Sequence, residues 1–294
     1  MAVAEAFIPS SARRRGLARA KSLRGVFGGA TKVDKAGLIL LGLLVLLALL
    51  APLIAPYNPI TPSGTPFTPP LNGGHLLGTD EVGYDIFSRV LFGLRTSLLG
   101  VLIVVSSGVL IGGTIGLIAG VAGGWLDTLL MRITDLFLAL PGPLLAIAIA
   151  AALGPSYAHV LLSVAIVWWP FYARIMRGEV RALAARPHLE AAALAGAGPV
   201  RRGLRHLLPG AMPAIVVTAS LDVGNLVVTL AGLSFLGLGA PAPAPELGAM
   251  AARGLQFLLQ QWWVPVMPGI GVLLLALGAN LSGDAVADAT GQGI

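Results

Sequence analysis

The chain has 294 residues, of which 56% are hydrophobic and only 11% carry a charge. A soluble domain of this size carries about a quarter charged residues, so the composition excludes an ordinary soluble fold and indicates a helical membrane protein. Cysteine is absent and the four histidines lie far apart without metal-ligand spacing, so no metal site is expected.

Six apolar blocks are long enough to cross a bilayer, which requires roughly 20 residues per helix. The first block is longer than the apolar core of a signal peptide, and no convincing cleavage site follows it. It therefore predicts an uncleaved signal-anchor helix. The predicted spans are 36–56, 95–121, 126–152, 156–173, 210–236 and 263–282. An even number of spans places both termini on the same side of the membrane.

The basic residues indicate which side that is. Sixteen of the 19 lysines and arginines lie in the first 35 residues, beside the start of the third span, or between the fourth and fifth spans. The positive-inside rule places these regions in the cytoplasm, and it explains the net charge of +6 without nucleic-acid binding. We therefore predict a basic cytoplasmic tail (1–35), a cytoplasmic loop at about 174–209 and a short C-terminal tail (289–294).

The segment 57–94 is then on the outer face. It opens with several prolines, which favour extended structure. From Asp85 to Leu94 its apolar residues recur at helical spacing, with Asp85 and Arg89 together on the opposite side. This pattern predicts an amphipathic helix at the outer interface. The run Asp80, Glu81 and Asp85 lacks the alternating oxygen ligands of an EF-hand loop, so calcium binding is not expected.

Glycine recurs every fourth residue near the end of the second span, at Gly112, Gly116, Gly120 and Gly124. Small residues at this spacing let helix backbones approach closely in lipid. The partner helix is either within the same subunit or in a second subunit. Proline and glycine also interrupt later spans, as simple kinks or as broken helices that line a cavity.

The fifth span carries a polar stripe, because Asp222, Asn225 and Thr229 share one helical face. A carboxylate at membrane depth is costly and usually faces a water-filled path or a polar partner. The stripe predicts a translocation path or a subunit contact, with a local hydrogen bond of Asp222 as the alternative. Asp135 in the third span is similar but lies nearer the cytoplasm.

The cytoplasmic loop contains a short helix pattern. Glu190 favours the positive end of a helix dipole, the following alanines are strong helix formers, and Gly196 ends the pattern. A second helix is predicted from Pro199 to about Leu208, and Pro209 is expected to end it. A thin alanine face suits close docking into a partner's cleft, and a solvated connector is the alternative.

Four stretches together resemble one family. EAAALAG at 190–196 with LLP at 207–209 resembles the EAA loop of ABC importer permeases. HLLGTDEVGYDIFSR at 75–89, LSFLGLG at 233–239 and NLSGD at 280–284 resemble the C-type subunit of dipeptide/oligopeptide permeases. They occur in the family's order and spacing and cover most of residues 36–288. Leu230 departs from the family, which often has Glu there, and leaves Asp222 as the only acid of the fifth span.

The resemblance implies an all-α type I ABC importer permease fold with six transmembrane helices and a cytoplasmic coupling helix. It also implies a non-catalytic subunit without a cofactor, in the bacterial plasma membrane with both termini in the cytoplasm. The implied partners are a second permease, two ATPases that bind ATP and Mg, and an extracytoplasmic substrate-binding protein. The implied ATPase-coupling residues are Glu190, Ala191, Ala192, Leu194, Gly196, Leu208 and Pro209. The implied contacts with the binding protein are Asp80, Glu81, Asp85 and Arg89.

The residues independently argue against a motor in this chain. A phosphate-binding P-loop requires Gly-Lys before Ser or Thr, and none of the three lysines follows a glycine. Di- or oligopeptides are the expected cargo, with nickel, haem or another small solute as alternatives. An ion-coupled secondary transporter using Asp222 and Asp135 would require an internal repeat, which the sequence does not show. A scaffold subunit would leave the polar stripe unexplained.

Overall fold

The computed structural model describes residues 32–187, 189 and 194–290, without the side chains of 289 and 290. Residues 1–31 of the predicted basic tail, residues 291–294, and the predicted coupling residues Glu190, Ala191 and Ala192 lie outside the described residues. Residues 32–35, which were assigned to the tail, belong to the first helix.

Nearly all of the described chain is helical. Its helices are α1 (Lys32–Ile54), α2 (Ile86–Ser107), α3 (Gly113–Ala122), α4 (Gly124–Leu138), α5 (Gly142–Leu153), α6 (Tyr157–Ala184), α7 (Pro199–Arg202), α8 (Leu208–Leu233), α9 (Leu247–Gly254) and α10 (Trp263–Thr290). Three π-helical turns continue these helices, at Gly108–Gly112, Gly203–Leu207 and Ser234–Leu238. A 3₁₀ turn, Leu255–Phe257, follows α9.

Five continuous helical stretches are long and apolar enough to cross a membrane: Lys32–Ile54, Ile86–Ala122, Tyr157–Ala184, Pro199–Leu238 and Trp263–Asp288. α4 and α5 qualify together as a sixth span that is bent by 81°. The predicted all-α fold with six transmembrane helices is confirmed when this bent pair is counted as one span. The bend falls at Pro141, next to Pro143, where proline removes backbone donors.

Several helices are longer than the hydropathy pattern predicts. α2 begins at Ile86 and continues into the second span, so residues 86–94 are not a separate helix. α6 continues to Ala184, eleven residues past the predicted end of the fourth span. Pro209 does not end a helix, because it occupies the first turn of α8 after a π-helical turn. At that position the missing N–H of proline has little effect.

The glycine stripe packs against α6 of the same chain. A side chain on Gly112 would collide with the Trp169 carbonyl, and one on Gly116 with the Ala173 carbonyl. A Cβ on Gly120 would approach Val180 Cγ1 to 2.5 Å, whereas Gly124 has open space. The first three glycines therefore make a close helix crossing within the subunit, which is the first of the two predicted alternatives.

Candidate functional site

The loop between α6 and α7, residues 185–198, is anchored to the helices through Leu189. Leu189 is only 3% exposed and belongs to an apolar cluster that includes Leu183 of α6, Leu207 of the π-helical turn before α8, and Ala211 of α8. The amide of Leu189 also donates to the Arg186 carbonyl at 2.9 Å. Leu189 therefore packs in one apolar cluster with residues of α6 and α8.

Beyond this anchor the loop presents an apolar residue to its surroundings. Leu194 is 91% exposed, so its side chain is accessible to a partner. Gly196 follows with φ of 82°, a left-handed conformation that glycine adopts without strain at a helix C-terminus. Of the two remaining predicted coupling residues, Leu208 is half-buried and Pro209 is exposed.

An ion-pair cluster joins α6 to α4 near the same end. Asp127, in the first turn of α4, is buried and accepts hydrogen bonds from Arg177 Nε at 2.5 Å and Nη2 at 2.8 Å. Arg181 also donates to Asp127. A second pair, Arg174 with Asp135 at 2.6 Å, joins the same two helices but is about half exposed at both side chains. These contacts connect α4 to the helix that leads into the loop.

A cavity of about 240 Å³ lies at the bend between α4 and α5. It is lined by Leu138, Gly142, Pro143, Val167, Trp168, Phe171, Asp222 and Asn225. The bend creates this space because α4 ends and α5 begins on its wall, while α6 and α8 supply the aromatic and polar side chains. The cavity therefore combines a broken span with the polar stripe predicted from the sequence.

The structure brings part of the predicted translocation-path set together. Asp222 and Asn225 line the cavity, whereas Thr229 and Asp135 lie outside its lining. Asp222 Oδ2 accepts from Trp168 Nε1 at 2.5 Å and from Tyr172 Oη at 3.1 Å. The predicted alternative of a local hydrogen bond is therefore present, and it occurs at the wall of a cavity.

The 75–89 motif folds into a buried polar cluster at the start of α2. Asp85 is fully buried and caps α2, accepting from the Ser88 amide at 2.7 Å. Its other oxygen lies 2.9 Å from Nδ1 of His75, which is itself 3% exposed. A carboxylate at a helix N-terminus satisfies free amides and interacts favourably with the dipole. Asp85 is therefore a structural residue of this segment.

Arg89 joins three parts of the chain. Its Nη1 donates to the carbonyls of Pro59, at 2.8 Å, and Pro243, at 3.1 Å. Its Nε lies 3.7 Å from Asp80, and the residue is 2% exposed. The 57–85 segment and the loop after α8 cover the side chains of Asp85 and Arg89, so neither is at the surface in this structure. Contact of this segment with a binding protein stays a prediction. Asp80 is also mostly buried, and Glu81 is half-buried.

Glu246 is a buried carboxylate that sequence reasoning missed. It caps α9 by accepting from the amides of Gly248 at 3.0 Å and Ala249 at 2.8 Å. It is only 1% exposed, and burial raises the pKa of its carboxyl above the ordinary value although the two amides oppose the shift. An acid directly before a short apolar helix is a capping pattern, but its position in a Pro-rich loop obscured it.

An all-helical chain with six membrane spans, an anchored loop with an exposed leucine and a polar cavity at a broken span is typical of a membrane transport subunit. Residues 112–294 match the family described as "Binding-protein-dependent transport system inner membrane component". Residues 32–70 match "N-terminal TM domain of oligopeptide transport permease C". Since the first match spans more than half of the sequence, the chain belongs to the family of binding-protein-dependent transport system inner membrane components.

Individual relatives are similar over most of their length. The chain is 40% identical over 250 residues to the probable D,D-dipeptide transport system permease protein DdpC of Escherichia coli, covering 85% of this chain and 84% of the relative. It is 41% identical over 259 residues to the di/tripeptide transport system permease protein DppC of Pseudomonas aeruginosa, covering 86% of each. A solved structure, the inward-facing MetNI methionine ABC transporter, matches with a TM-score of 0.56 at 21% identity, over 70% of this chain and 97% of that chain.

Proposed function

We propose that this chain is the C-type permease subunit of an ATP-driven peptide importer, forming half of the path for di- and oligopeptides across a bacterial inner membrane. The similarity to dipeptide and di/tripeptide permeases, at about 40% identity over some 85% of the chain, carries this proposal. The match to an oligopeptide permease domain at 32–70 supports it. Nickel, haem and other small solutes remain alternative cargoes for the test below.

In this proposal the chain does no covalent chemistry. Partner ATPases bind ATP and Mg, and the segment Glu190–Gly196 docks on one of them as a coupling helix. Leu194, which is 91% exposed, would be covered by that partner. A second permease completes the path, and an extracytoplasmic binding protein delivers the cargo. Both termini and the 185–198 loop lie in the cytoplasm.

A continuous set of contacts could transmit the ATPase movement to the cavity. The loop is fixed to α6 and α8 through Leu189. α6 is joined to α4 through Asp127 with its two arginines, and α4 ends at Leu138 on the cavity wall. Closure of the ATPases would therefore move α4, α6 and α8 together and change the opening of the cavity. The arrangements of these helices before and after closure are in equilibrium, and nucleotide binding shifts that equilibrium.

The test is purification of the tagged chain from its own host, followed by native mass spectrometry and reconstitution into proteoliposomes. We expect a complex with a second permease and two ATPases, and ATP-dependent uptake of labelled di- and tripeptides in the presence of the binding protein. Uptake of nickel or haem but not peptides would overturn the cargo. Recovery of the chain alone or as a homodimer, without nucleotide-dependent uptake, would overturn the importer.

A loop variant makes this test specific. Leu194→Glu places a charge on a side chain that is 91% exposed, so the fold should persist while ATPase docking is lost. Ala substitution at Gly198, whose φ is −63° and whose surroundings are open, is the matched control in the same loop. Normal uptake by the Leu194→Glu complex would contradict docking at this residue.

A further inference from the structure

We propose that the cavity at the bend between α4 and α5 is a subsite for a primary ammonium group of the cargo. The proposal rests on the proposed import function, because it assumes that a cargo passes this cavity. It adds a chemical preference within the membrane, which is separate from whatever the binding protein selects. The carboxylate of Asp222 is the group that would contact the cation.

Charge on the cavity wall has one sign. Among the described residues, Asp222 is the only charged side chain of the lining, and none of their ion pairs involves it. Near the start of α5, the amides of Leu144 and Leu145 both donate to the Pro141 carbonyl, at 3.0 and 3.1 Å. These two amides therefore do not compete with a cation for the Asp222 carboxylate. An uncompensated carboxylate at membrane depth attracts a cation.

The carboxylate is held in a fixed orientation. Trp168 Nε1 and Tyr172 Oη both donate to the same oxygen, Oδ2. Both donors are neutral, so neither brings a positive charge to the carboxylate. The side chain of Asn225, one turn further along α8, lines the same wall and hydrogen-bonds to Asp222. An ammonium group has three donors and suits acceptors placed in this way.

The remaining wall is also suited to a cation. The rings of Trp168 and Phe171 line the cavity, and an ammonium group within about 6 Å of an aromatic face is attracted by the ring quadrupole. Gly142 lines the cavity without a side chain. The volume of about 240 Å³ is sufficient for an amino-acid-sized group and not for a whole oligopeptide. The cavity therefore accommodates one charged end or one side chain of a cargo at a time.

Such a subsite would lower the free-energy barrier for moving a charge through the membrane. A path must bind an ion strongly enough to admit it and weakly enough to release it. The ammonium group could be the α-amino group of a peptide or the side chain of a lysine. Both sources have the same chemistry, and different cargoes distinguish them.

The experiment measures uptake by the complete transporter in proteoliposomes, with the binding protein saturated by each cargo. One cargo pair is Ala-Lys-Ala and Ala-norleucine-Ala, which differ in the side-chain ammonium group, and a second pair compares each peptide with its N-acetylated form. Binding-protein affinities are measured separately by calorimetry. The permease variants are Asp222→Asn, which keeps the acceptor for Trp168 and Tyr172 but loses the charge, and Asp135→Asn as the control acid.

We expect Asp222→Asn to slow uptake of the ammonium-bearing cargoes about tenfold, which corresponds to roughly 1.4 kcal/mol, and to leave N-acetyl-Ala-norleucine-Ala unchanged. If Asp222→Asn loses the preference for Ala-Lys-Ala over Ala-norleucine-Ala, the subsite binds a side-chain ammonium group. If it loses the preference for free over N-acetylated peptides, the subsite binds the α-amino group. Asp135→Asn should alter neither preference. An equal reduction for all cargoes, or no change for any of them, would overturn the subsite.

A second variant tests the subsite without changing Asp222, so its result does not depend on whether the Asp222→Asn chain folds. Phe171→Leu removes an aromatic face at a residue that is 44% exposed, and it should slow only the ammonium-bearing cargoes, about threefold. No cargo selectivity in the Phe171→Leu uptake rates would count against the proposal. If the wild-type complex imports no peptide at all, the proposed function has failed, whereas peptide import without charge selectivity at Asp222 rejects only the subsite.

Discussion

Three buried carboxylates illustrate how single residues act in this chain. Each one accepts at least two hydrogen bonds within the protein, Asp85 from Ser88 and His75, Asp222 from Trp168 and Tyr172, and Glu246 from Gly248 and Ala249. Buried acids are tolerated when such donors are present. Asp85 and Glu246 cap helices and are structural, whereas Asp222 lines a cavity.

Glu246 makes stability depend on pH. Its folded-state pKa is raised, so its contribution is complete at low pH and is lost as the pH rises through the folded-state pKa. Glu246→Gln keeps an acceptor for the α9 amides but has no charge to bury. The melting temperature of the variant, relative to wild type, should therefore increase between about pH 5 and about pH 8.

Thermal unfolding of the purified chain in detergent at both pH values measures this difference. Asp284→Asn, which changes an exposed carboxyl near the end of α10, provides the control. A pH-independent difference between the Glu246→Gln variant and wild type would show that the ionisation of Glu246 is not coupled to folding.

The sequence pattern could predict the acid in the fifth span but not its partners. Asp222 is identifiable because a carboxylate is rare among apolar residues. Trp168 and Tyr172 are about 50 residues away, and their aromatic character gives no sign of the hydrogen bonds. Asp85 and Arg89 were misassigned to a solvent-facing side because helical periodicity does not reveal that the 57–85 segment covers them.

At the scale of elements, the two ion pairs between α4 and α6 provide a natural comparison. Asp127 is buried and binds two arginines, whereas Asp135 and Arg174 are each about half exposed. Removal of Asp127 loses the charge-assisted hydrogen bonds from two arginines, whereas an exposed pair contributes little. Asp127→Ala should therefore lower the free energy of unfolding by about 1–3 kcal/mol, and Asp135→Ala by less than about 1 kcal/mol.

Chemical or thermal unfolding of both variants in the same detergent tests this ranking. Because the chain has no native cysteine, a disulfide between cysteines introduced on α4 and α6 can also report how closely the helices stay together. Equal destabilisation by the two variants would contradict a special role for Asp127.

The ends of the helices were harder to predict than their existence. Hydropathy located every span, because membrane helices require long apolar runs. It ended the fourth span at residue 173, since Arg174, Arg177 and Arg181 break the apolar run. Those arginines remain on α6, where acids of α4 neutralise them. The π-helical turn that accommodates Pro209 likewise has no simple signature in the sequence.

At the scale of the whole molecule, the loop conformation should control coupling. Gly196 has φ of 82°, whereas Gly198 in the same loop has φ of −63°. A β-branched residue at Gly196 would be strained by about 1–2 kcal/mol, so Gly196→Val should uncouple ATP hydrolysis from peptide uptake. Gly198→Val should leave the ratio of uptake to hydrolysis close to wild type.

Both rates are measured on the same proteoliposomes, so assembly defects are detected as loss of both activities. An unchanged ratio for Gly196→Val would contradict the proposed coupling loop. The EAA pattern predicted this loop, but only the structure shows its anchor at Leu189, because a leucine in a helical pattern gives no information about which cluster it joins.

The proposed orientation can be checked with two exposed residues on opposite sides. Leu194 is 91% exposed in the 185–198 loop, and Leu259 is 99% exposed between α9 and α10. Cysteine at 259 should react with a membrane-impermeant maleimide in intact spheroplasts, whereas cysteine at 194 should react only after lysis. The reverse pattern would place the loop outside and would be incompatible with docking to a cytoplasmic ATPase.

The crossing between the glycine stripe and α6 has a consequence for sequence variation. Trp169 and Ala173 meet Gly112 and Gly116 through backbone atoms, so a larger residue on the glycine side has no side chain to displace. Saturation mutagenesis should therefore give near-complete intolerance at 112 and 116, even to alanine, and graded tolerance on the opposing face of α6. Sequence change at this crossing should therefore be uneven, because the glycine positions accept no side chain while positions on α6 accept some.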